Sequence, residues 1–70
     1  MDGYYDGPAH WEAIAEFSDG TTLEFIRPVT VRGWKDEDEQ QHLVEGELLD
    51  KAIATGKEVV FYSVHFVRDE

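Results

Sequence analysis

Apolar and polar residues alternate with a period of two in the first part of the chain, and this alternation predicts two β-strands. From residue 10 to residue 26 the alternating apolar positions are Trp11, Ala13, Ala15, Phe17, Leu23 and Phe25. Because successive side chains of a strand point to opposite faces of its sheet, these residues share one buried face. The opposite face carries mainly polar residues, together with Ile14 and Ile26.

The segment "SDG" at residues 18–20 lies between the two predicted strands and is typical of a hairpin turn. A three-residue loop opposes Ala15 to Leu23 and keeps the buried faces together, whereas a two-residue loop would oppose Glu16 to Leu23. The three-residue loop also places Gly20 where a left-handed backbone conformation is needed. We therefore predict a hairpin with a three-residue loop.

Pro28 is expected to end or bend the second strand, because proline has no backbone amide to donate to a sheet. The segment "VTVRGW" at residues 29–34 then allows a short third strand, and Gly33 marks its end. Residues 1–9 are rich in glycine and aspartate and are predicted to form a flexible N-terminal tail.

Residues 36–55 are predicted to form one helix. Asp36 is a suitable N-cap, and Glu39 follows three positions later, as in a capping box. Gly56 suits the position after the C-cap. Acidic residues in a first turn also interact favourably with the helix dipole. The acidic run "DEDE" at residues 36–39 therefore has a structural explanation.

One side of this predicted helix is apolar and is expected to pack on the sheet. Its stripe consists of Val44, Leu48, Leu49, Ala52 and Ile53. Leu43 falls outside the stripe, among polar residues, which makes it a candidate anchor for a protein partner.

The closing segment "EVVFYSVHFV" at residues 58–67 is rich in β-branched and aromatic residues, which favours a strand. Both of its faces are largely apolar, so it is expected to be a central strand covered on both sides. The face predicted to lie under the helix consists of Val60, Tyr62, Val64 and Phe66. The other face carries Val59, Phe61, His65 and Val67.

These elements predict an α+β domain of order β-β-(β)-α-β, in which a small antiparallel sheet with a C-terminal central strand is covered by one helix. The domain is expected to span residues 10–67, with a short C-terminal tail at 68–70. One helix covers one face of such a sheet, so the second face lacks an obvious cover. The residues predicted to form an interaction surface are Ile14, Ile26, Leu43, Val59, Phe61, His65 and Val67.

Two covers for the second face remain open from the sequence. The tail could fold over it with Tyr4 and Tyr5, together with Trp34. Alternatively, another protein covers it, and a second copy of the chain is the simplest candidate, because twofold dimers are the commonest assemblies.

Composition restricts the partners. The chain has 70 residues, 16 acidic and 6 basic side chains and a net charge of −10. This sign argues against direct binding to nucleic acid or to an anionic membrane, since both require Lys and Arg. There is no cysteine and no apolar leader segment, so we expect a cytoplasmic protein.

The sequence contains little that could support catalysis. Its histidines are His10, His42 and His65, and the spacing Glu39-x-x-His42 occurs once, whereas carboxylate-bridged metal bundles need that motif on two helices. Ser18 and Ser63 lack the context of a nucleophile. We therefore predict no enzyme activity, no cofactor and no metal site.

The acidic residues allow a second hypothesis, that the protein imitates nucleic acid and inhibits a basic DNA- or RNA-binding protein. The acidic surface would consist of Asp36, Glu37, Asp38, Glu39, Glu47 and Asp50. The principal hypothesis is a non-enzymatic protein-interaction module that can associate with itself.

The stretch "DEDEQQHLVEGELLDKAI" followed by "VVFYSVHFV" resembles small proteins carried by bacterial prophages and conjugative elements. These have an acidic start, a glutamate-rich helix and a closing aromatic strand. The resemblance covers about the last half of the chain and contains no catalytic motif. It implies a bacterial or phage origin and an accessory role in a mobile element, without an activity.

Overall fold

The structure, a computed structural model, describes residues 6–69 and contains one antiparallel sheet with one helix. The elements are β1 (Asp6–Phe17), β2 (Thr22–Arg32), α1 (Trp34–Ala54) and β3 (Val59–Arg68). The strand order in the sheet is β2-β1-β3, and both pairs are antiparallel. The predicted α+β class and the order β-β-α-β are therefore confirmed.

The central strand is β1, and the prediction that the C-terminal strand would be central is wrong. β1 pairs with β2 on one side and with β3 on the other, so β3 lies at an edge. Along β1 the buried residues are Ala9, Trp11, Ala13, Ala15 and Phe17. The two apolar faces of β3 reflect incomplete cover at a sheet edge, not burial from both sides.

The sheet extends beyond both of its predicted ends. β1 begins at Asp6, so residues 6–9 belong to the sheet and not to a tail. β3 continues to Arg68, and the Asp69 amide donates to the Pro8 carbonyl at 3.1 Å. Residues 1–5 and residue 70 lie outside the described residues. The predicted cover of the second sheet face by Tyr4 and Tyr5 therefore falls outside them as well.

The hairpin between β1 and β2 forms as predicted. Ala15 opposes Leu23, and the Phe17 amide donates to the Thr21 carbonyl at 2.9 Å. Gly20 closes the loop with a φ of 89°, in the region that side chains other than glycine rarely adopt. The three-residue loop is confirmed.

β2 continues through Pro28, so the predicted end of the strand and the separate third strand are wrong. Pro28 opposes His10, and residues 29–32 extend the same strand as far as Arg32. The bond between Phe17 and Thr21 sets the antiparallel alternation, which places position 28 where an amide would point away from β1. Because β2 is an edge strand, the missing donor leaves its pairing with β1 intact.

The helix begins two residues earlier than predicted. Its N-cap is Gly33, and Trp34 is the first helical residue. Asp36 is not the cap, because its carboxylate instead accepts a hydrogen bond from the Arg32 amide at 2.9 Å. At the other end, Thr55 is the C-cap and Gly56 follows with a φ of 75°, as predicted.

The core lies between α1 and the face of β1 that bears the alternating apolar residues. Its buried members are Trp11, Ala13, Ala15, Phe17, Val44, Leu48 and Ala52. The ring of Trp11 lies 5.0 Å from that of Phe66, and its indole nitrogen donates to the Gln40 side chain at 3.3 Å. Ile53, predicted to face the sheet, is 71% exposed, because the sheet is too narrow to cover that side of the helix.

A β-bulge exchanges the predicted faces at the start of β3. Phe61 opposes Glu16 and Val59 opposes Phe17, so Val60 is an extra residue between them. Val59 consequently packs against the core, whereas Val60 points to solvent. Beyond the bulge, Val64 and Phe66 lie under the helix as predicted.

Leu48→Ala tests the core directly, since Leu48 is completely buried. We expect a loss of about 2–5 kcal/mol in the free energy of unfolding, because the substitution removes buried methylene groups and leaves a cavity. Leu43→Ala is the matched control on the same helix, where the leucine is 73% exposed, and it should change stability by less than about 0.5 kcal/mol. Urea denaturation measures both, and equal losses would contradict the packing described.

Asp19→Asn tests the charge in the hairpin loop. Hydrogen bonds from the Thr21 hydroxyl and amide, aided by Lys57, lower the pKa of Asp19 from 3.8 to about 2. This group therefore stabilises the fold above its unfolded pKa, and the contribution is lost as the pH falls towards 2. Between these values the melting temperature of the wild type should fall more steeply than that of the variant. Parallel curves would show that the loop charge contributes nothing.

Candidate interaction surface

The face of the sheet opposite α1 is not covered by any described element; we call it the open face. Its residues include His10, Glu12, Ile14, Glu16, Glu24, Ile26, Thr30, Phe61, Ser63, His65 and Val67. The pairing brings together five of the residues predicted to form an interaction surface: Ile14, Ile26, Phe61, His65 and Val67. Their role in binding stays a prediction.

The open face is more polar than the sequence pattern indicates. Its centre is a shallow depression of about 670 Å³ in which Ile14 and Ile26 alternate with Glu12, Glu24 and His65. Glu12 opposes Ile26 on one side and His65 on the other, so carboxylates separate the apolar side chains. A continuous apolar docking face is therefore not formed here.

Two of the predicted interaction residues lie elsewhere. Val59 packs against the core through the bulge, so its assignment to the open face is wrong. Leu43 lies on the flank of α1 above β2, where it lines a small groove with Arg27 and Val29. Arg27 forms an ion pair with Glu47 at the same groove, which leaves Leu43 next to charged groups.

The most exposed apolar stretch is at the start of β3, and of its residues only Phe61 was predicted to belong to an interaction surface. Val60, Phe61 and Tyr62 are 59%, 52% and 46% exposed, although Tyr62 was expected in the core. They follow one another directly, so the stretch reaches the bulge, the open face and the helix side of the same strand. The signal available in the sequence was an apolar run without alternation, which is also typical of a buried strand.

The backbone of β3 is unpaired at the outer edge of this stretch. The bond from Asp69 to Pro8 sets the alternation of the β1–β3 ladder. By this alternation, the amides and carbonyls of Tyr62 and Val64 point away from β1. Within residues 6–69 they have no hydrogen-bond partner. We call Val60–Val64, with these outward groups, the β3 edge.

The outer edge of β2 is, by contrast, protected in its second half. Position 28 is proline and offers no donor. The Thr30 carbonyl accepts a hydrogen bond from the Gln40 side chain at 3.1 Å, and the Arg32 amide donates to Asp36 at 2.9 Å. Side chains of α1 thus satisfy two outward backbone groups in the second half of β2. In the first half, residues 22–26, the outward groups have no partner within residues 6–69, and the charge of Glu24 protects the edge there.

An apolar flank of α1 borders the β3 side of the sheet. Glu47 lies on the β2 side, as its ion pair with Arg27 shows. At about 100° per residue, Leu49 and Ile53 lie on the opposite flank of the helix. Ile53 is exposed and Leu49 partly buried. This flank and Tyr62, on the helix side of the sheet, together extend the apolar surface beyond the strand.

The acidic residues of α1 do not form a single row. Asp36 and Glu47 interact with Arg32 and Arg27 of β2, as described above. Asp38 lies near His42, with 4.0 Å between carboxylate and imidazole. On the helical wheel Glu37 and Asp38 lie outside the flank that carries Glu39, Glu47 and Asp50. The nucleic-acid mimic stays a prediction.

The histidines occupy solvent-accessible positions. The imidazole of His10 lies 2.9 Å from the Asp69 carboxylate and 3.3 Å from that of Glu12. No group of three or more His, Asp and Glu side chains among residues 6–69 is arranged to hold a metal ion. In the same range, no helix is both long and apolar enough to cross a bilayer.

His10→Gln tests the ion pairs of His10. The hydrogen bond to Glu12 raises the pKa of His10 above its usual 6.5; partial burial opposes this, and Asp69 raises the pKa further. The imidazolium therefore stabilises the fold below pH 6.5, and the contribution is lost as the pH rises through the raised pKa. The difference in melting temperature between wild type and variant should therefore shrink as the pH rises from 6.5 through the raised pKa. A constant difference would contradict the pairing.

Comparison with known proteins identifies no relative. No protein-family model, curated protein or solved structure matches the chain. Among the surfaces of the described residues, the β3 edge combines exposed apolar side chains with unpaired backbone groups.

Proposed function

We propose that this chain is a non-enzymatic protein-interaction module that binds through the β3 edge. The observation that carries the proposal is the exposed run of Val60, Phe61 and Tyr62 on an edge strand, where the outward groups of Tyr62 and Val64 have no partner within residues 6–69. Exposed apolar patches on small soluble domains are typical of interaction sites. Burial of apolar surface stabilises a complex by roughly 25 cal/mol per Å². The entropy that the two molecules lose on association opposes this gain.

The binding mode that fits this surface is the addition of a strand. An extended segment of a partner can continue the sheet, with its backbone paired to Tyr62 and Val64. In this mode the main-chain hydrogen bonds supply affinity, and the side chains on alternate faces supply specificity. Phe61 and Tyr62 point to opposite faces of the sheet, so the partner would contact one aromatic ring on each side.

The charge distribution supports the same surface. None of the 16 acidic residues lies in β3, whose basic side chains are His65 and Arg68. The acidic side chains are on the other elements, in loops and near the ends of the chain, with Glu58 and Asp69 at the two ends of β3, and this charge directs association away from them. A neutral edge on a strongly acidic domain is where a partner can approach with the least desolvation of charge.

The chemistry of the titratable groups supports a binding role over a catalytic one. The pKa shifts of Asp19 and His10 follow from hydrogen bonds on the surface of the domain. Catalytic acids and bases are typically perturbed inside a cleft that excludes water. The lack of cysteine supports a reducing, cytoplasmic setting for this module.

A photo-cross-linking amino acid in place of Phe61 tests the proposal in cells of the source organism. We expect irradiation to join the protein to a partner, because the partner covers this side chain. The same amino acid at Leu43 is the control: this position is more exposed than Phe61 but lies on the helix flank above β2. It should give little product. Stronger cross-linking at Leu43, or none at Phe61, would contradict the proposal.

A further inference from the structure

We infer that the occupant of the β3 edge is a second copy of this chain, which pairs β3 with β3 in antiparallel orientation. The product is a continuous six-stranded sheet with both helices on one face. This inference rests on the proposed function, because it names the partner of the same surface. It is carried by the difference between the two edges, by the charge of β3 and by the symmetry of its outward groups.

The two edges of the sheet are protected to different degrees. On β2, Pro28 lacks a donor, side chains of α1 bond the Thr30 carbonyl and the Arg32 amide, and Glu24 places a charge on the remaining part of the edge. Proteins commonly protect an edge strand in these ways, because an unprotected one pairs with other chains. On β3, the segment Phe61–Val64 has neither proline nor a charged side chain. One protected edge and one unprotected edge lead to a closed dimer and not to a filament.

Charge favours this strand for self-association. Two copies with a net charge of −10 each repel one another, most strongly where acidic side chains approach. β3 contains no Asp or Glu, whereas each other element contains at least one. Pairing through β3 therefore keeps the acidic groups of the two copies apart. Added salt should strengthen the dimer by screening the remaining repulsion.

The outward groups determine a register. A twofold axis at Ser63 places Tyr62 of each copy opposite Val64 of the other. These are the residues whose amides and carbonyls point away from β1, so the two copies exchange four backbone hydrogen bonds. Phe61 then opposes His65 on the open face. Each face of one sheet continues as the same face of the other, which keeps the helices together.

The register makes a sharp geometric prediction at Ser63. The backbone of Ser63 points towards β1, so the two Ser63 residues form a non-hydrogen-bonded pair across the axis. In such pairs the Cα atoms are about 4.5 Å apart, which is within the range of disulfide bonds. Because the chain contains no cysteine, Ser63→Cys introduces a single thiol. Two thiols that lose two electrons and two protons to a mild chemical oxidant join the copies covalently.

The first measurement is cross-linking of Ser63→Cys with Thr30→Cys as the matched control. Thr30 lies on the open-face side of the protected edge strand β2. Under dilute oxidising conditions we expect the Ser63→Cys protein to have twice the monomer mass and the control to remain monomeric. No covalent dimer from Ser63→Cys, or equal amounts from both variants, would overturn the proposed pairing.

The second measurement is sedimentation equilibrium of the full chain and of Tyr62→Pro. Proline removes the outward amide and leaves the ladder with β1 intact, so the variant should bind itself at least about tenfold more weakly. Leu43→Ala should associate like the wild type. Circular dichroism checks that Tyr62→Pro is folded; if it is not, the Ser63→Cys result decides. A dimer unaffected by folded Tyr62→Pro would overturn the inference.

The outcomes separate this inference from the proposed function. If the wild type is monomeric at every protein and salt concentration and position 61 cross-links to a different protein, a second copy is not the partner. The proposed interaction module is then still supported. The absence of any cross-link at position 61 overturns both. A cross-linked product of twice the monomer mass supports both.

Discussion

The packing of α1 on the alanine-rich face of β1 is the contact on which the rest of the structure depends. Ala13 and Ala15 have small side chains, which allows Leu48 to reach the sheet and become completely buried. Because a chain of this size builds only one such layer, its stability is concentrated in a few side chains. A single helix over the central strand also covers the two outer strands incompletely, and this incomplete cover produces the exposed surfaces.

The cover is unequal on the two sides, and this inequality gives the sheet two different edges. On the β2 side, Gln40 and Asp36 reach over the strand and bond its backbone. On the β3 side the C-terminal part of the helix presents Leu49 and Ile53, which have no polar groups to offer the strand. The same helix therefore protects the second half of the β2 edge and leaves the β3 edge, at Val60–Val64, apolar and open to pairing. The binding surface that we propose follows from that asymmetry and not from a pocket.

Short-range sequence patterns predicted the hairpin and the C-terminal end of the helix. The alternation around "SDG" determined the register of Ala15 against Leu23, since a shift by one residue would have placed every buried side chain on the wrong face. Gly56 was recognised as the residue after the helix because its position demands a left-handed backbone. The helix start was misplaced, since Asp36 suits a cap equally well when its carboxylate bonds the preceding strand.

The amino-acid sequence by itself determined the class of the domain, the hairpin and the buried helix residues Val44, Leu48 and Ala52, because each depends on contacts between near neighbours or on a repeating period. Only the tertiary structure decided that β1 is central, that the bulge turns Val59 inward and that Val60–Tyr62 remain exposed. An apolar run of this kind has the same composition in a buried strand and at an uncovered edge. The difference lies in which strand pairs with which, and in how far one helix can extend across three strands.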